Sequence, residues 1–459
     1  MEALRKRLFA RGKRDVDMTE GNILGHLIQF AIPLLIGNVL QQLYNMVDTW
    51  VVGNYVSGEA FSAVGTVGPI INLLIGFFMG FSTGAGVVIS QFYGAKKYEE
   101  VQKTLHTALC MTLILGILFT AVGILMVPTM LDLMHTPDDV LGEATDYLTI
   151  YFSGIMGLMF YNIGSGILRS VGDSKRPFYF LAVSAVTNTV LDLLFVLCFD
   201  MGVRGVALAT IIAQGLSAFL IILTLLRTDS CIKLSFKKLQ LHGEMLFKII
   251  KIGLPAALQM AVTSFSNIFV QSYINYFDTA AMGGWTAYSK IDQLILLPMQ
   301  SVSLASTTFV GQNLGKGNVE RAKKGVNTAL LIACSSTVIL MIPVLIFAPQ
   351  LVYFFNKEPA IIEFGTVFLH WLTPFYVLCC INQIYAGALR GSGNSTAPMI
   401  IMLTSFVLFR QIYLYIMANY ISNTVIPIAM AYPAGWLLCS LLMFIYYKTA
   451  KLEKSRIVK

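Results

Sequence analysis

The chain has 459 residues, of which 56% are hydrophobic and only 12% are charged, and its formal net charge is +8. Soluble proteins carry about a quarter charged residues, so this composition excludes an ordinary soluble globular protein. Apolar runs long enough to cross the roughly 30 Å hydrocarbon core of a bilayer as helices recur along the whole chain. We therefore predict an all-α polytopic membrane protein.

Twelve transmembrane helices are predicted from the apolar runs and the polar segments between them. Their bounds are 23–47, 60–90, 101–130, 143–168, 177–199, 203–226, 248–275, 280–312, 325–350, 361–387, 398–420 and 424–447. Nearly all of the 32 basic residues fall in the loops of one side, whereas the opposite loops hold only Arg204 and Lys357. The segment ahead of span 1 carries Arg5, Lys6, Arg7, Arg11, Lys13 and Arg14.

This one-sided bias follows the positive-inside rule, so both termini are predicted to be cytoplasmic and the protein to lie in the cell membrane. The bias also explains the basic excess without a nucleic-acid partner. The start of the chain lacks the short apolar core and small-residue cleavage site of a signal peptide, so no cleavage is expected. The seven cysteines are scattered and show no metal-ligand spacing or disulfide framework.

Span 1 carries a polar stripe near its end, in "QQLYNMVDTW". Gln41, Tyr44, Asn45 and Asp48 are spaced i, i+3, i+4 and i+7, so they share one face of a helix. A stripe of this kind on an otherwise apolar helix predicts a polar lining rather than a lipid contact.

Spans 5 and 6 add further polar groups. Asn188 and Asp192 are spaced i, i+4 in "TNTVLDLLF", and Thr210 lies in span 6. Inserting a lone carboxylate at this depth costs a few kcal/mol, whereas an interhelical hydrogen bond typically returns only about 0.6 kcal/mol. Two carboxylates in a partly dry pocket cannot both ionise cheaply. We therefore predict a site for H⁺ or Na⁺ that includes Asp48 and Asp192; the alternative is a hydrogen-bonded lock with a permanently protonated aspartate.

The second half of the chain repeats the first. The segment "QFYGAKKYEEVQKTLHTAL" (91–109) matches "GQNLGKGNVERAKKGVNTAL" (311–330), and "GILRSVGDSKRP" (166–177) matches "GALRGSGNSTAP" (387–398), both at an offset of 221 residues. Pro33 and Asn45 correspond to Pro255 and Asn267 at an offset of 222. One offset held across distant segments indicates an internal duplication.

The duplication defines the predicted domains. They are a cytoplasmic N-terminal segment (1–22), an N-lobe (23–227), a cytoplasmic linker (228–247), a C-lobe (248–447) and a cytoplasmic tail (448–459). Each lobe has an even number of spans, so both begin on the same side and form two pseudo-symmetric six-helix bundles related as parallel repeats. Duplicated bundles around a midplane site are the architecture of alternating-access transporters.

The two lobes differ in charge. The copies of Asn188 and Asp192 are Phe409 and Tyr413, and Arg410 follows Phe409. Arg410 is expected either to balance the charge of a substrate or carboxylate, or to anchor the C-lobe. Lys290 and Asp292 on span 8 are expected to pair or to face the central cavity. The polar candidates for a substrate cavity are Gln41, Asn45, Asn162, Gln259, Asn267, Asn382 and Arg410.

Enzyme chemistry is not indicated. No phosphate-binding G-x-x-x-x-G-K-[ST] loop or helical H-E-x-x-H motif occurs. The segment "GFSTG" (80–84) matches the serine-hydrolase pattern G-x-S-x-G, but the copies of its Gly, Ser and Gly are Ser301, Ser303 and Ala305. Small residues at this spacing let membrane helices approach closely, which explains both copies. We predict no enzyme activity and no cofactor.

Several segments together resemble the multidrug and toxic compound extrusion (MATE) transporters over nearly the whole chain. They are "YNMVDTWVVG" on span 1, "GILRSVGDSKRP" after span 4, "TNTVLDLLF" on span 5, "GVRGVALAT" entering span 6, and "GQNLGKGN" in the second half. The resemblance implies an antiporter that exports organic compounds against an inward flow of H⁺ or Na⁺. It also implies that Asp48, Asn188, Asp192 and Thr210 form an N-lobe cation site with Tyr44 nearby.

Two further expectations come from the resemblance. Pro33 matches a proline at which the first helix of some relatives is proposed to bend. Another branch of the family has acids on spans 7 and 10, but here span 7 has none and span 10 offers only His370 beyond Glu363 at its edge. The resemblance is therefore to the branch with an N-lobe site.

The predicted function is a secondary antiporter for drug-like compounds, cationic or amphipathic, acting as a monomer in the lipid bilayer. Its partners are small organic substrates, and the coupling ion is H⁺ or Na⁺. Two alternatives stay open: a flippase for a lipid-linked headgroup, which shares the architecture, and a passive channel or receptor.

Overall fold

The computed structural model describes residues 15–458, apart from the side chains of Phe61, Ser264, Phe265 and Ile268. Arg5, Lys6, Arg7, Arg11, Lys13 and Arg14, which contribute to the predicted orientation, lie outside the described residues. Within residues 15–458 the secondary structure is entirely helical. The predicted all-α class is confirmed.

Eleven described helices are long and apolar enough to cross a membrane, and one bent pair of helices supplies the twelfth span. The spans are Ile23–Tyr55, Gly58–Gly94, Tyr98–Leu133, the pair Asp138–Ser153 and Ile155–Ser170, Lys175–Leu193 continued by Leu194–Cys198, Gly202–Arg227, Gly243–Ile274, Thr279–Lys316, Val319–Ile346, Pro359–Leu372 continued by Thr373–Phe375 and Tyr376–Ser392, Thr396–Leu403 continued by Thr404–Phe409, Arg410–Ile416 and Met417–Ile421, and Val425–Ala429 with Ala431–Thr449. Short helices occur at Phe236–Lys238, Ala348–Phe355 and Leu452–Ser455.

Side-chain caps mark where several spans begin. Ser57 accepts a hydrogen bond from the Ala60 N–H at the start of span 2, and Asp278 accepts one from the Ala281 N–H at the start of span 8. These caps satisfy amide groups that the first helical turn leaves without partners.

Span 4 is bent by 47° between Ser153 and Ile155. Gly154 occupies the bend, and a Cβ at this position would lie 2.4 Å from the Ile211 Cβ of span 6. Only a glycine allows spans 4 and 6 to approach this closely, so the bend and the contact depend on the same residue.

The chain forms two compact units, and spans 1 and 7 are each divided between them. The first unit comprises the chain up to Asp17 together with Ile36–Leu254, and the second comprises Met18–Leu35 together with the chain from Pro255 onward. The predicted lobes, 23–227 and 248–447, assigned each span whole to one half. The division has a physical cause, because Leu27, Phe30 and Leu34 are buried in the apolar core of the second unit.

The start of span 7 belongs to the first unit for a similar reason. A Cβ on Gly84 of span 2 would lie 2.6 Å from the Ile249 carbonyl oxygen and 2.7 Å from the Gly253 backbone. Small residues therefore let the backbones of spans 2 and 7 nearly touch.

The two copies of the "GFSTG" serine make the same contact in each half. Ser82 Oγ donates a 2.6 Å hydrogen bond to the Asn162 carbonyl, and Ser303 Oγ donates a 2.6 Å hydrogen bond to the Gln383 carbonyl. A serine that contacts the neighbouring helix identically in both repeats is a packing residue, as the small-residue pattern predicts.

Candidate cation site in the first unit

Two aspartates on different helices meet in the first unit. Asp48 lies on span 1 and is 7% exposed, and Asp192 lies on span 5 and is 0% exposed. Each carboxyl group is a direct electrostatic neighbour of the other. Neither side chain therefore faces the lipid-exposed surface, and the two are close enough to share one occupant.

The other predicted ligands lie around this pair. Asn188 is 2% exposed and lies one helical turn before Asp192. Thr210 is 7% exposed, and its hydroxyl donates a 3.0 Å hydrogen bond to the Val206 carbonyl, so its oxygen remains able to accept. Tyr44 is an electrostatic neighbour of Asp48 on the same helix.

Several polar atoms at this place are buried without a hydrogen-bond partner among the described residues. They are Asp48 Oδ1, both carboxylate oxygens of Asp192, and both Oδ1 and Nδ2 of Asn188. A buried polar group without a partner typically costs about 1–3 kcal/mol, and such groups are uncommon in native proteins. The clustering of these atoms around one pair of carboxyl groups fits the binding of a cation or a proton there.

Two tyrosines on the first helix of span 4, which the sequence does not single out, also lie at this site. Tyr147 is 5% exposed and is an electrostatic neighbour of Asp48 and Asp192, and it lies beside Thr210. Tyr151 is 1% exposed, and its ring is stacked on that of Tyr147 at 6.4 Å with an interplanar angle of 12°. The only signal in the sequence is their i, i+4 spacing in "DYLTIY", which equally predicts apolar packing.

The set of donors limits the occupants that would fit. No group of three or more His, Cys, Asp or Glu side chains that could hold a metal ion occurs among the residues that the structure describes. Two carboxylates with an amide, a hydroxyl and a phenol instead suit a proton or one monovalent ion. Na⁺ would be held by Asp48 and Asp192 through oxygen atoms.

The polar residues of the second unit are arranged differently. Asp292 Oδ1 accepts hydrogen bonds from the Tyr376 hydroxyl and, at 3.4 Å, from the Tyr288 hydroxyl. Lys290 is exposed and forms no ion pair with a described residue, so the expected Lys290–Asp292 pair is not present. The tyrosines compete successfully because both hydroxyls are buried and need an acceptor.

The residues predicted to line a substrate cavity differ in their hydrogen bonds and in their exposure. Asn162 Nδ2 donates to the Leu158 carbonyl at 2.9 Å, and Asn382 Oδ1 accepts from Ser440 Oγ at 2.9 Å. Gln259 accepts a 3.3 Å hydrogen bond from Arg390. Gln41 is half-buried and Asn45 is exposed. A role of these residues in substrate binding stays a prediction.

Pro33 is buried within span 1, two residues before the helix passes from the second unit to the first. Its copy Pro255 is the residue at which span 7 changes units. A proline inside a helix removes a backbone hydrogen bond and weakens the helix locally. Bending at Pro33 stays a prediction.

Two repeated halves of six spans, one with a buried acid pair, define a polytopic helical membrane protein of the class to which alternating-access transporters belong. The family model named MatE matches residues 33–194 and 255–416, which are two equal stretches at an offset of 222 residues. The chain therefore belongs to the MatE family.

Relatives and solved structures agree with this assignment. The chain is 29% identical over 432 residues to the probable multidrug resistance protein YpnP of Bacillus subtilis, covering 94% of this chain and 96% of the relative. It is 24% identical to the FAD transporter of Shewanella oneidensis, covering 83% and 85%. A structure described as the outward-facing conformation of a multidrug resistance MATE family transporter superposes with a TM-score of 0.89 at 24% identity, covering 95% and 97%.

Proposed function

We propose that this chain is a secondary antiporter that exports drug-like organic compounds, cationic or amphipathic, in exchange for inward H⁺ or Na⁺. The single observation that carries the proposal is the buried acid pair Asp48–Asp192, of which Asp48 Oδ1 and both carboxylate oxygens of Asp192 have no hydrogen-bond partner among the described residues. A relative named for multidrug resistance, which aligns with this chain over nearly its whole length, supports the export of drugs.

The coupling cation is bound by Asp48 and Asp192, with Asn188, Thr210 and Tyr44 as further donors. Binding neutralises charge that is otherwise buried at high cost, so the loaded and empty states differ in free energy by several kcal/mol. A difference of this size is large enough to bias a conformational equilibrium. Loading from outside favours release of substrate outward, and unloading to the cytoplasm restores the state that binds new substrate.

The membrane potential and the chemical gradient of the ion provide the driving force for export. One positive charge that moves inward down about 100 mV supplies roughly 2.3 kcal/mol, which sustains a gradient near 50-fold for a neutral substrate. Exchange of one monovalent cation outward for one proton inward is electroneutral and uses only the chemical gradient of the ion.

Both the membrane location and the orientation of the chain suit an exporter. The protein acts as a monomer in the cell membrane, with both termini in the cytoplasm, since the basic loops lie on one predicted side. This orientation places inward cation flow and outward substrate flow in the directions that an exporter requires.

The test uses purified protein in liposomes with a fluorescent cationic dye. A pH gradient and a Na⁺ gradient are imposed in separate experiments, and the gradient that drives dye uphill identifies the coupling ion. Asp192→Asn keeps the shape of the side chain but removes its charge, and it is expected to abolish uphill movement.

The matched control is Asp146→Asn in the same half. Asp146 is partly exposed and forms an ion pair with Arg204 at 2.8 Å. This variant is expected to transport normally. Dye movement that only dissipates a gradient favours a channel, and unchanged uphill transport by Asp192→Asn contradicts the proposal.

A further inference from the structure

Arg410 is the largest of the fully buried side chains and is only 2% exposed. It begins the helix Arg410–Ile416, directly after the π-helical segment Thr404–Phe409 in the middle of span 11. A cation at this depth is expensive to insert, yet no carboxylate among the described residues forms an ion pair with it. Its charge must be stabilised in another way.

The stabilisation comes from two aromatic faces and one amide. The guanidinium carbon lies 4.4 Å from the centre of the Tyr432 ring and 5.1 Å from the centre of the Phe406 ring. Nη1 donates a 2.8 Å hydrogen bond to Asn267 Oδ1, and Nε is buried without a hydrogen-bond partner. Aromatic faces around a desolvated cation, with a neutral acceptor, are the means by which proteins recognise organic cations.

This arrangement corresponds by sequence repeat to the acid site of the first half. Asn267 is the copy of Asn45, which lies on the Asp48 face of span 1, and Phe409, next to Arg410, is the copy of Asn188. The first half thus has a buried acid pair in this region of the repeat, whereas the second half has a buried cation that is part of the chain.

We propose that Phe406, Tyr432 and Asn267 form a cage for a planar organic cation and that Arg410 is its built-in occupant. Arg410 is then a specificity-determining residue: it closes the cage to cationic substrates and leaves the first half as the place where positive charge is exchanged. The statement about exchange rests on the proposed function, whereas the cage itself is defined by its own contacts and can be tested separately.

The experiment removes the tethered cation and offers a free one. Purified Arg410→Ala is titrated with guanidinium chloride at millimolar concentration, and the thermal unfolding midpoint is measured. Binding of guanidinium to the opened cage is expected to raise the midpoint by about 1 °C in a saturable manner, since a chain of this length gains about 1 °C per kcal/mol of stabilisation. Urea has the same planar shape without the charge and is expected to leave the midpoint unchanged, as is NaCl.

Two controls locate the effect. The wild-type protein and Arg204→Ala, which lacks an exposed arginine instead, are expected to show no saturable rise with guanidinium. The rise is expected to persist in Arg410→Ala combined with Asp192→Asn, because the acid pair lies in the other unit. Loss of the rise in that combination would assign guanidinium to the acid site and overturn the cage, without bearing on whether transport is coupled.

A double-mutant cycle keeps the proposal testable if Arg410→Ala does not fold. Tyr432→Leu is compared in the natural background and in Arg410→Met, which keeps much of the side-chain volume. The substitution is expected to lower the midpoint more when Arg410 is present, because only then does it remove a cation–π contact. Equal losses in both backgrounds, or equal stabilisation of Arg410→Ala by urea and guanidinium, would contradict the proposal.

Discussion

Tyr147→Phe tests whether the phenol that sequence analysis missed takes part in cation binding. The substitution removes one hydroxyl from a side chain that is 5% exposed and keeps the ring that stacks on Tyr151 at 6.4 Å. Folding is therefore expected to change by no more than about 1 kcal/mol, the usual net value of a neutral hydrogen bond. The loss should instead appear in cation binding.

The magnitude follows from the neighbours of Tyr147. Its hydroxyl lies beside Thr210 and interacts with the charges of Asp48 and Asp192. The hydrogen bond of this hydroxyl is to the neutral Thr210, and a neutral hydrogen bond contributes about 0.5–1.5 kcal/mol, where each 1.4 kcal/mol is a factor of about 10 in affinity. Tyr147→Phe is thus expected to raise the half-saturating activity of the coupling cation roughly 2- to 10-fold, with the maximal rate nearly unchanged.

The assay measures the initial rate of dye transport in proteoliposomes as the activity of the coupling cation is varied. Tyr98→Phe is the control, since Tyr98 is 48% exposed at the start of span 3. The reasoning is refuted if Tyr147→Phe has the half-saturation of the wild type while Asp192→Asn abolishes coupling. In that case the phenol only packs against the site.

Two further predictions concern the packing within each unit. A Cβ on Gly123 would lie 2.1 Å from Phe152 Cδ1, whereas a Cβ on Gly142 would meet nothing within 4 Å. Gly123→Ala is therefore expected to lower the free energy of unfolding, and Gly142→Ala to raise it slightly. Thermal or denaturant unfolding should show a difference of about 2–4 kcal/mol between the two variants. Arg321 donates hydrogen bonds to the carbonyls of Met18, Glu20 and Gly21, so Arg321→Ala is expected to cost about 1.5–3 kcal/mol. Lys323→Ala, which removes only a surface pair with Glu320, should cost less than about 0.5 kcal/mol, and equal losses would contradict this role of Arg321.

The spans were predictable because each requires a long apolar run, and the duplication confirmed their order. Their ends were less predictable: span 1 was expected to end at 47 but continues to Tyr55. Thr49 and Asn54 donate to backbone carbonyls one turn earlier in the same helix, so these polar side chains do not end it. The bend of span 4 at Gly154 had no sequence signal distinct from the other glycines. It depends on the contact with Ile211, which only the tertiary structure creates.

The acids of the candidate site were predictable because acidic residues are rare within apolar spans and costly to bury. Asp48 and Asp192 therefore stand out in the sequence. Tyr147 and Tyr151 were not, because aromatic residues at helical spacing are common in apolar cores. The division of spans 1 and 7 between the two units was also hidden. An apolar stripe such as Leu27, Phe30 and Leu34 shows that a face is buried but not which helices bury it.

The central claim is that cation and substrate movements are obligatorily exchanged through the acid pair. The most direct measurement imposes only an outward-directed dye gradient on proteoliposomes and follows the coupling cation. Wild-type protein is predicted to move H⁺ or Na⁺ against its own gradient, and Asp48→Asn and Asp192→Asn are predicted to move none. Uphill cation movement in either variant, or its absence in the wild type for both ions, would contradict the account.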